Sequence, residues 1–359
     1  MIPLFKAYPA LNSIPYCSLG VFPTPVTRAE KLSLSLNRDG LFIKRDDLSG
    51  TLYGGNKLRK LEFILADASQ KGSKRLITSG AAGSNHALAT ALYGKEAGFK
   101  VVLMLMEQPF NPKIADNLLA DFGSGAEMFL DNTYEEHLNS MQRVIELYKN
   151  IDDCDPYIIP PGGSSIYGAV GYVNAAFELR DQIDNGLLPE PSVIYLPLGT
   201  MGTVAGLLLG LKAAGLKTRL NAVSVVPSFI ANREKFTRLF NDTNEFLRIN
   251  DPAFPVCSFS DDDLIINNRH FGEGYGIITR EAILSIDILS RTEGITLDGV
   301  YTGKAFSAFL ADIEKTGSSD EVLLYWNTKS SVPLPQESLN LDFRQLPEQF
   351  HYYFTTKTQ

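Results

Sequence analysis

The clearest potential for covalent chemistry lies with Lys57, in the segment Tyr53–Glu62, which has the sequence YGGNKLRKLE. A helix that begins near Asn56 places Lys57 on an apolar face, from which Arg59 projects away. The other members of that face are Leu61, Ile64 and Ala68. Burial on such a face lowers the pKa of a lysine toward values at which the amine is nucleophilic and can form a Schiff base. A surface lysine whose carbon chain lies along the helix is the alternative.

Two glycines before Lys57 favour the ligand-binding interpretation. Gly54 and Gly55 allow the backbone to approach a bound molecule closely and to adopt positive φ angles. Asn56 can cap the helix and also contact a ligand. The segment therefore predicts a lysine that is held at the start of a helix, beside a bound molecule.

A second turn with binding potential is Ser79–His86, SGAAGSNH, which lies between an apolar run and a helical stretch. Ser84 suits the N-cap of that helix, whose free N–H groups and dipole favour a carboxylate. Asn85 can donate a hydrogen bond to a phenolate oxygen. The turn therefore predicts an anion-binding site, with His86 as a further member. A simple capped helix with a partly exposed histidine is the alternative.

A third segment, Pro197–Gly206, has the sequence PLGTMGTVAG and opens another helix after an apolar run. Its glycines allow the backbone to surround phosphate oxygens, and N–H groups at the helix start can donate to them. Thr200 and Thr203 add hydroxyl donors. The loop has neither the Lys-Ser/Thr pair of a P-loop nor the spacing of a dinucleotide fingerprint, so nucleotide binding is the weaker interpretation.

Composition limits the classes of protein that remain. A chain of 359 residues suggests two domains or one large α/β unit. Its 44% apolar and 21% charged residues are typical of a globular protein. A formal net charge of −8 argues against binding to nucleic acid or to an anionic membrane.

Cysteine and histidine positions give no sign of a metal site. The three cysteines are far apart and lack CxxC spacing, which argues against a thiolate metal site or a disulfide framework. The four histidines are scattered without ligand spacing. No apolar run is long enough to cross a bilayer, and the first residues lack a signal-peptide pattern. We therefore expect a cytoplasmic protein that uses no metal.

Short apolar runs alternate with helical patterns along the chain. This rhythm predicts an α/β protein with parallel sheets and crossover helices. Ligands of open α/β sheets bind at the carboxyl ends of the strands, where the glycine-rich turns lie. The predicted strands are Leu41–Lys44, Arg75–Thr78, Val101–Met104, Tyr157–Ile159, Val193–Leu196 and Val223–Val226.

Together these segments resemble the pyridoxal-phosphate enzymes of fold type II that include D-cysteine desulfhydrase and 1-aminocyclopropane-1-carboxylate deaminase. The motif GGNKLRKLE is similar to the Schiff-base segment of that family, SNH to its substrate-carboxylate turn, and GTMGT to its phosphate loop. The resemblance spans roughly residues 15 to 328, which is most of the chain. Further matching segments are Lys44–Asp47, Gly162–Ser164, Gly168–Tyr172, Gly274–Gly276 and Tyr301–Ala305.

The resemblance implies a tryptophan-synthase-β-like fold, with two open, twisted, mostly parallel sheets flanked by helices. It implies a larger domain, residues 1–60 and 166–359, that binds pyridoxal 5′-phosphate (PLP). A smaller inserted α/β domain would cover residues 61–165, with the substrate in the cleft between the two. Family members are usually homodimers, so we expect a homodimer here. The resemblance does not explain the tail from Ser331 to Gln359, whose aromatic residues could cover the larger domain or a dimer surface.

The resemblance also implies roles for individual residues. Lys57 would hold the cofactor as a Schiff base, and its freed amine would remove the Cα proton of an amino-acid substrate. Ser84, Asn85 and His86 would bind the substrate carboxylate. Lys57 and Ser84 are expected to act in catalysis, together with Tyr275 and Tyr301, which match the two active-site tyrosines of the family. The cofactor would also contact Asn56, Asn85, Gly199, Thr200, Met201, Gly202, Thr203 and Thr302.

Thr302 separates the two leading activities. The deaminases have a glutamate at the matching position, which faces the pyridine nitrogen and favours its protonation. A neutral threonine makes the ring a weaker electron sink, which suits loss of a β-thiol better than opening of a strained ring. We therefore expect D-cysteine to yield pyruvate, sulfide and ammonia. Deamination of 1-aminocyclopropane-1-carboxylate to 2-oxobutyrate is the alternative, and a catalytically silent protein that binds PLP or an amino acid is a more remote one.

One segment departs from the family pattern. Desulfhydrase-like chains tend to carry a His-Thr-Gly-Gly turn where this chain has Asn327-Thr328-Lys329-Ser330. The change removes two glycines and adds a positive charge. We expect it to reshape the wall beside the cofactor.

Overall fold

The computed structural model describes residues 1–316 and 320–355, in which strands and helices alternate. No described helix is long and apolar enough to cross a membrane. The strands are β1 (Val26–Arg28), β2 (Leu41–Lys44), β3 (Arg75–Ala81), β4 (Lys100–Met106), β5 (Glu127–Asp131), β6 (Tyr157–Ile159), β7 (Val193–Leu198), β8 (Arg219–Ser224), β9 (Leu264–Asn267) and β10 (Leu323–Trp326). The α-helices are α1 (Pro3–Ala7), α2 (Glu30–Leu36), α3 (Asn56–Gln70), α4 (Asn85–Glu96), α5 (Pro112–Gly123), α6 (Tyr134–Asp152), α7 (Ile166–Asp184), α8 (Gly202–Ala213), α9 (Arg233–Asn250), α10 (Arg280–Glu293), α11 (Thr302–Thr316), α12 (Gln336–Leu339) and α13 (Tyr352–Thr355).

Strands from both ends of the chain form the larger sheet, in the order β1-β2-β10-β7-β8-β9. The β1-β2 pair is antiparallel, and the other neighbouring pairs are parallel. Trp326, the last residue of β10, lies opposite Lys44, the last residue of β2. The segments that follow these two strands therefore leave the sheet side by side, which brings residues 327–330 close to the chain that leads to Lys57.

The smaller sheet contains four parallel strands, in the order β5-β4-β3-β6. All four come from residues 75–159, in the middle of the chain. The buried strand β3 leads directly into the turn before α4, so the strand end positions Ser84 and Asn85. Two mostly parallel sheets flanked by helices confirm the predicted α/β class.

Helix α3, which carries Lys57, is buried on nearly every side. Leu61, Ile64 and Ala68 are at most 1% exposed, as the predicted apolar face requires. Arg59 and Lys60 are equally inaccessible, at 1% each. Arg59 projects away from the Lys57 face, but it enters another buried environment, where its guanidinium meets carboxylates. A single apolar stripe is therefore an incomplete description of this helix.

A buried network of charges surrounds Arg59. Its Nη2 lies 2.8 Å from Asp46 and 2.8 Å from Glu178, and Lys44 Nζ lies 2.6 Å from Glu178. Burial opposes ionisation of Asp46, but Arg59 and Lys44 lower the pKa of that carboxyl to about 2. Trp326 Nε1 also donates to Asp46, at 2.7 Å. The network fastens β2, β10 and α7 to the first turns of α3.

The C-terminal tail packs on the smaller sheet's side of the molecule. Leu346, Phe350 and Tyr353 are at most 3% exposed and belong to the apolar cluster that lies beside that sheet. Helices α12 and α13 contact α5, and the Gln108 N–H donates to the Tyr353 hydroxyl at 3.0 Å. The tail therefore does not cover the larger domain, to which residues 166–359 were assigned from the sequence.

Candidate active site

The start of α3 holds Lys57 in a deep but accessible position. Gly55 precedes the helix with a φ of 92°, and the Asn56 N–H donates to the Thr328 carbonyl at 3.0 Å. The Lys57 side chain is surrounded by protein yet remains partly exposed, and burial lowers its pKa to about 8. A fraction of the amine is therefore uncharged near neutral pH, as a nucleophile requires.

The two glycines before Lys57 are required by contact with the chain's own backbone. A Cβ on Gly54 would lie 2.4 Å from the Asp47 carbonyl oxygen, and one on Gly55 would lie 2.6 Å from the Thr328 carbonyl oxygen. The positive φ of Gly55 adds a second reason for glycine there. The glycines thus permit a close approach, as predicted, although the contact shown here is with protein rather than a ligand.

The segment after β10 forms a wall beside Lys57. Ser330 Oγ accepts from the Gly54 N–H at 2.9 Å, and Lys329 Nζ donates to the Ser330 carbonyl at 2.9 Å. Burial is the largest cause of the lowered pKa of Lys329, and the positive charge of the nearby Lys113 lowers that pKa further. The extra charge of this chain is therefore directed back onto its own segment and partly shielded from water.

The phosphate loop, Gly199–Thr203, presents unpaired backbone donors at the start of α8. Met201 adopts a left-handed φ of 69° just before that helix. The N–H groups of Thr203 and Val204 have no protein acceptor in the part of the chain that the structure describes. Asn56 Nδ2 donates to Thr203 Oγ1 at 3.0 Å and so joins this loop to the start of α3. Such a helix start suits a phosphate group.

Lys60 and Ser164 adjoin this loop, and sequence reasoning had given neither of them a role. Lys60 Nζ donates to the Gly162 carbonyl at 2.9 Å, and a Cβ on Gly202 would lie 3.0 Å from that Nζ. Ser164 Oγ accepts from the Gly202 N–H at 3.0 Å. Burial, and then the charge of Lys57, hold the pKa of Lys60 well below its usual range. Lys60 follows Lys57 by three residues, which places both lysines on one side of the helix. That spacing was the signal from which a role for Lys60 could have been predicted.

The substrate turn, Ser84–His86, also presents free backbone donors. Ser84 caps α4 as predicted, since its Oγ accepts from the Ala87 N–H at 3.2 Å. Among the described residues, the N–H groups of Asn85 and His86 find no protein acceptor. The Asn85 side chain is partly accessible, and its Oδ1 accepts from the Tyr53 hydroxyl at 3.1 Å. This turn is therefore tied to the chain four residues before Lys57.

The His86 imidazole points into the protein rather than the cleft. It is 2% exposed, and its Nε2 lies 3.1 Å from Thr78 Oγ1. Its Nδ1 is buried without a protein partner in the described chain. Burial, with the charges of Lys57 and Lys60, holds its pKa well below the usual range, so the ring is neutral. Only the backbone of His86 is placed to meet a ligand.

Tyr275 and Tyr301 form a pair. Their hydroxyl oxygens are 2.6 Å apart, and burial raises the pKa of both phenols. A Cβ on Gly199 would lie 3.8 Å from the Tyr301 ring, which places the pair beside the phosphate loop. Both tyrosines thus remain protonated and can share a proton with each other and with a bound molecule.

Thr302, which is predicted to contact the cofactor, lies in a buried turn. Its side chain is 0% exposed, and its Oγ1 donates to Asp298 Oδ2 at 2.6 Å. Asp298 Oδ1 accepts from the N–H groups of Val300 and Tyr301 at 2.9 and 2.7 Å. The hydroxyl therefore stabilises the turn that positions Tyr301, and its contact with the cofactor stays a prediction.

These features, a lysine with a lowered pKa between two helix starts that present free N–H groups, are typical of PLP-dependent enzymes of fold type II. The chain belongs to the family described as "Pyridoxal-phosphate dependent enzyme", whose model matches residues 17–326. It is 35% identical over 327 residues to a protein of Pyrococcus furiosus named "Putative 1-aminocyclopropane-1-carboxylate deaminase", covering 90% of this chain and 94% of that protein. It is also 35% identical over 319 residues to a D-cysteine desulfhydrase of Klebsiella pneumoniae, covering 87% and 92%.

A crystal structure of an ACC deaminase homologue has the same fold. It superposes with a TM-score of 0.76 at 32% identity and covers 91% of this chain and 94% of its own. The predicted family, fold type and PLP dependence are thus confirmed. The residues present also fit the cofactor, since Lys57 offers an amine, and the phosphate loop offers free N–H groups beside Lys60. Because Gly202 has no Cβ, the space between the phosphate loop and the Lys60 amine stays open.

Proposed function

We propose that this enzyme removes the β-substituent of a small amino acid, and that its substrate is D-cysteine, which together with one water molecule yields pyruvate, sulfide and ammonia. The relative named D-cysteine desulfhydrase supports this choice. The observation that carries the proposed site is the convergence of three segments on one cleft. The hydrogen bond between Asn56 and Thr203 joins the helix that carries Lys57 to the phosphate loop. The hydrogen bond between Tyr53 and Asn85 joins the segment just before that helix to the substrate turn.

Lys57 has two parts in the proposed reaction. PLP, when bound, withdraws electrons from the substrate Cα and makes its proton acidic. Lys57 would hold the cofactor through its amine, and the same amine, once free, would take that proton. A lysine whose pKa is lowered to about 8 can act as a base at the pH of the cell.

The remaining residues orient the substrate. The free N–H groups of Asn85 and His86, with the Ser84 hydroxyl, bind its carboxylate at the start of α4. The Tyr275–Tyr301 pair steadies the substrate on the leaving-group side, where a protonated phenol can donate to the departing thiolate. His86 takes part through its backbone, because its imidazole is buried against Thr78.

A product assay tests the proposal. The PLP-loaded protein is offered D-cysteine, L-cysteine and 1-aminocyclopropane-1-carboxylate separately, and sulfide, pyruvate and 2-oxobutyrate are measured. We expect sulfide and pyruvate in equal amounts from D-cysteine. Formation of 2-oxobutyrate with little sulfide contradicts the proposal and establishes the deaminase, whereas no product from any of the three points to another amino acid.

Deamination of 1-aminocyclopropane-1-carboxylate is the second candidate. A relative at the same identity and the superposed crystal structure both carry that name. Thr302 argued against it because the residue was expected to face the pyridine nitrogen. In this structure its hydroxyl donates to Asp298, which weakens that argument, so the product assay must separate the two reactions.

We also propose that the protein is a cytoplasmic homodimer. The family resemblance supports the dimer, as do the exposed apolar side chains of Ile283 and Leu284 on α10, which are 57% and 53% accessible. The three cysteines are unpaired, which suits a reducing compartment. Light scattering after gel filtration tests the dimer, and a mass equal to one chain would contradict it.

A further inference from the structure

The orientation of the Asn85 amide is fixed by its neighbours, beginning with Asn117 on α5. Asn117 Nδ2 donates to the Gly83 carbonyl at 3.0 Å. A carbonyl oxygen only accepts hydrogen bonds, so the nitrogen of Asn117 must be the atom on that side. The same nitrogen lies 3.4 Å from the Asn85 amide, and the atom it meets there must be an acceptor. That atom is Asn85 Oδ1.

Tyr53 donates a second hydrogen bond to the same oxygen. Its hydroxyl lies 3.1 Å from Asn85 Oδ1, and burial, followed by the carboxylate of Asp298, raises its pKa, so the phenol keeps its proton. Tyr53 cannot easily move, because the Tyr93 hydroxyl accepts from its N–H at 3.1 Å and donates to its carbonyl at 2.6 Å. Asn85 Oδ1 thus meets two donors that come from different elements.

We propose that Tyr53 and Asn117 are positioning residues that turn the Asn85 NH₂ group toward the phenolate oxygen of the bound cofactor. Both lone pairs of Oδ1 are taken, so Nδ2 faces the other way, and within the described residues it has no protein acceptor. The side chain is partly accessible on that side. This inference rests on the proposed function, and on the contact between the Asn85 side chain and PLP that the family resemblance implies.

The orientation has an electrostatic consequence. An amide can rotate by half a turn with almost no change in shape, and the rotated form would present its carbonyl dipole to a negatively charged oxygen. An N–H donor stabilises that anion instead, which lowers the pH at which the bound cofactor gives up its proton. Tyr53 and Asn117 therefore act on the cofactor through Asn85 without touching it.

The test compares Tyr53→Phe and Asn117→Leu with a matched control, Tyr157→Phe. Tyr157 donates to Asp67 at 2.5 Å on the far side of α3, so its variant also loses one phenol bond to a carboxyl or amide oxygen. The visible absorbance of the PLP-loaded full chain is titrated against pH. Cofactor affinity is measured separately by quenching of Trp326, the single tryptophan.

We expect the absorbance midpoint to rise by about one pH unit in each test variant, and cofactor affinity to fall about tenfold. Tyr157→Phe should leave both values unchanged. Wild-type midpoints in both folded test variants would overturn the inference, as would an equal shift in the control. If Asn117→Leu does not fold, Asn117→Ser is used instead, because the serine side chain is too short for its hydroxyl to reach Asn85.

The experiment also separates this inference from the function on which it rests. A wild-type chain that takes up no PLP would overturn the proposed function and the inference together. Normal uptake by the wild type, with unshifted Tyr53→Phe and Asn117 variants, would overturn the inference alone.

Discussion

The two sides of the cleft treat buried carboxyl groups differently. Beside Lys57, Asp46 and Glu178 face Arg59 and Lys44, and all four side chains are at most 2% exposed. On the other side, Asp121 of α5 is 0% exposed, and neither of its carboxyl oxygens has a protein partner among the described residues. One side is therefore fastened by matched charges, and the other contains an ionisable group without compensation.

The difference shows how burial acts on a carboxyl with and without cations nearby. Arg59 and Lys44 overcome the cost of burial at Asp46 and keep it ionised. No cation among the described residues does so at Asp121, where burial raises the pKa well above its usual range and leaves the group neutral. The Lys57 side should therefore be sensitive to loss of a partner, and the Asn85 side to pH.

The largest effect is expected from Lys57→Ala, which removes the amine that lies on the side of the cleft with the buried ion pairs. Turnover should fall by about 10³-fold or more, because the variant lacks both the cofactor link and the proposed base. The visible absorbance of protein-bound PLP should also disappear. Product formation and absorbance are measured on the same sample, and retained turnover would refute the role of Lys57.

Arg59→Met tests the matched charges themselves. It leaves two carboxylates facing only Lys44, and removal of one member of a buried pair typically costs about 3–5 kcal/mol. The free energy of unfolding, measured in urea, should fall by that amount. Arg28→Met is the control, since its pair with Asp39 is 52% and 89% exposed and is worth only about 0–1 kcal/mol. Equal losses in the two variants would contradict the network's importance.

Lys60→Met tests whether the Lys60 amine contributes to cofactor binding at the phosphate loop. Loss of a donor to a charged group costs about 1.5–3 kcal/mol, so PLP should bind roughly tenfold to a hundredfold more weakly. The dissociation constant is obtained from quenching of Trp326. Lys71→Met, at the exposed end of α3, should bind PLP like the wild type. An unchanged affinity in the Lys60 variant would place its ammonium outside the phosphate site.

Much of this comparison could be predicted from local sequence signals. Gly54 and Gly55 mark the turn before Lys57, and Ser84 marks a helix start, because such residues act on their immediate neighbours. Five of the six predicted runs lie within strands, whereas Val223–Val226 extends past the end of β8. Local patterns thus located the turns that converge on the cleft.

The contacts that were missed depend on residues far apart in the chain. Arg59 finds Glu178 across 119 positions, and Asn117 finds Asn85 across 32. The tail meets the smaller sheet's cluster through Tyr353, 245 positions from Gln108. Side-chain pairings of this kind have no periodic signature, so pattern reasoning had no access to them.

The smallest effect is expected from Asp121→Asn, which tests the uncompensated side. The pKa of Asp121 is raised in the folded chain and ordinary in the unfolded one, so the unfolded state releases its proton first as pH rises. The stability that this group contributes is therefore fully present below the ordinary aspartate pKa, about 3.9, and is lost as pH rises above it.

Because asparagine does not titrate, Asp121→Asn should abolish this pH-dependent loss. Urea unfolding at pH 4.5 and pH 7.5 should show the variant gaining at least about 1 kcal/mol relative to the wild type at the higher pH, and less at the lower pH, because each unit between the folded and unfolded pKa is worth about 1.4 kcal/mol. The measurement compares how the free energy of unfolding depends on pH in the wild type and in the variant, so the effects of pH on other groups cancel. Parallel curves would mean that Asp121 is ionised in the folded protein, and the two sides of the cleft would then both hold charged carboxylates.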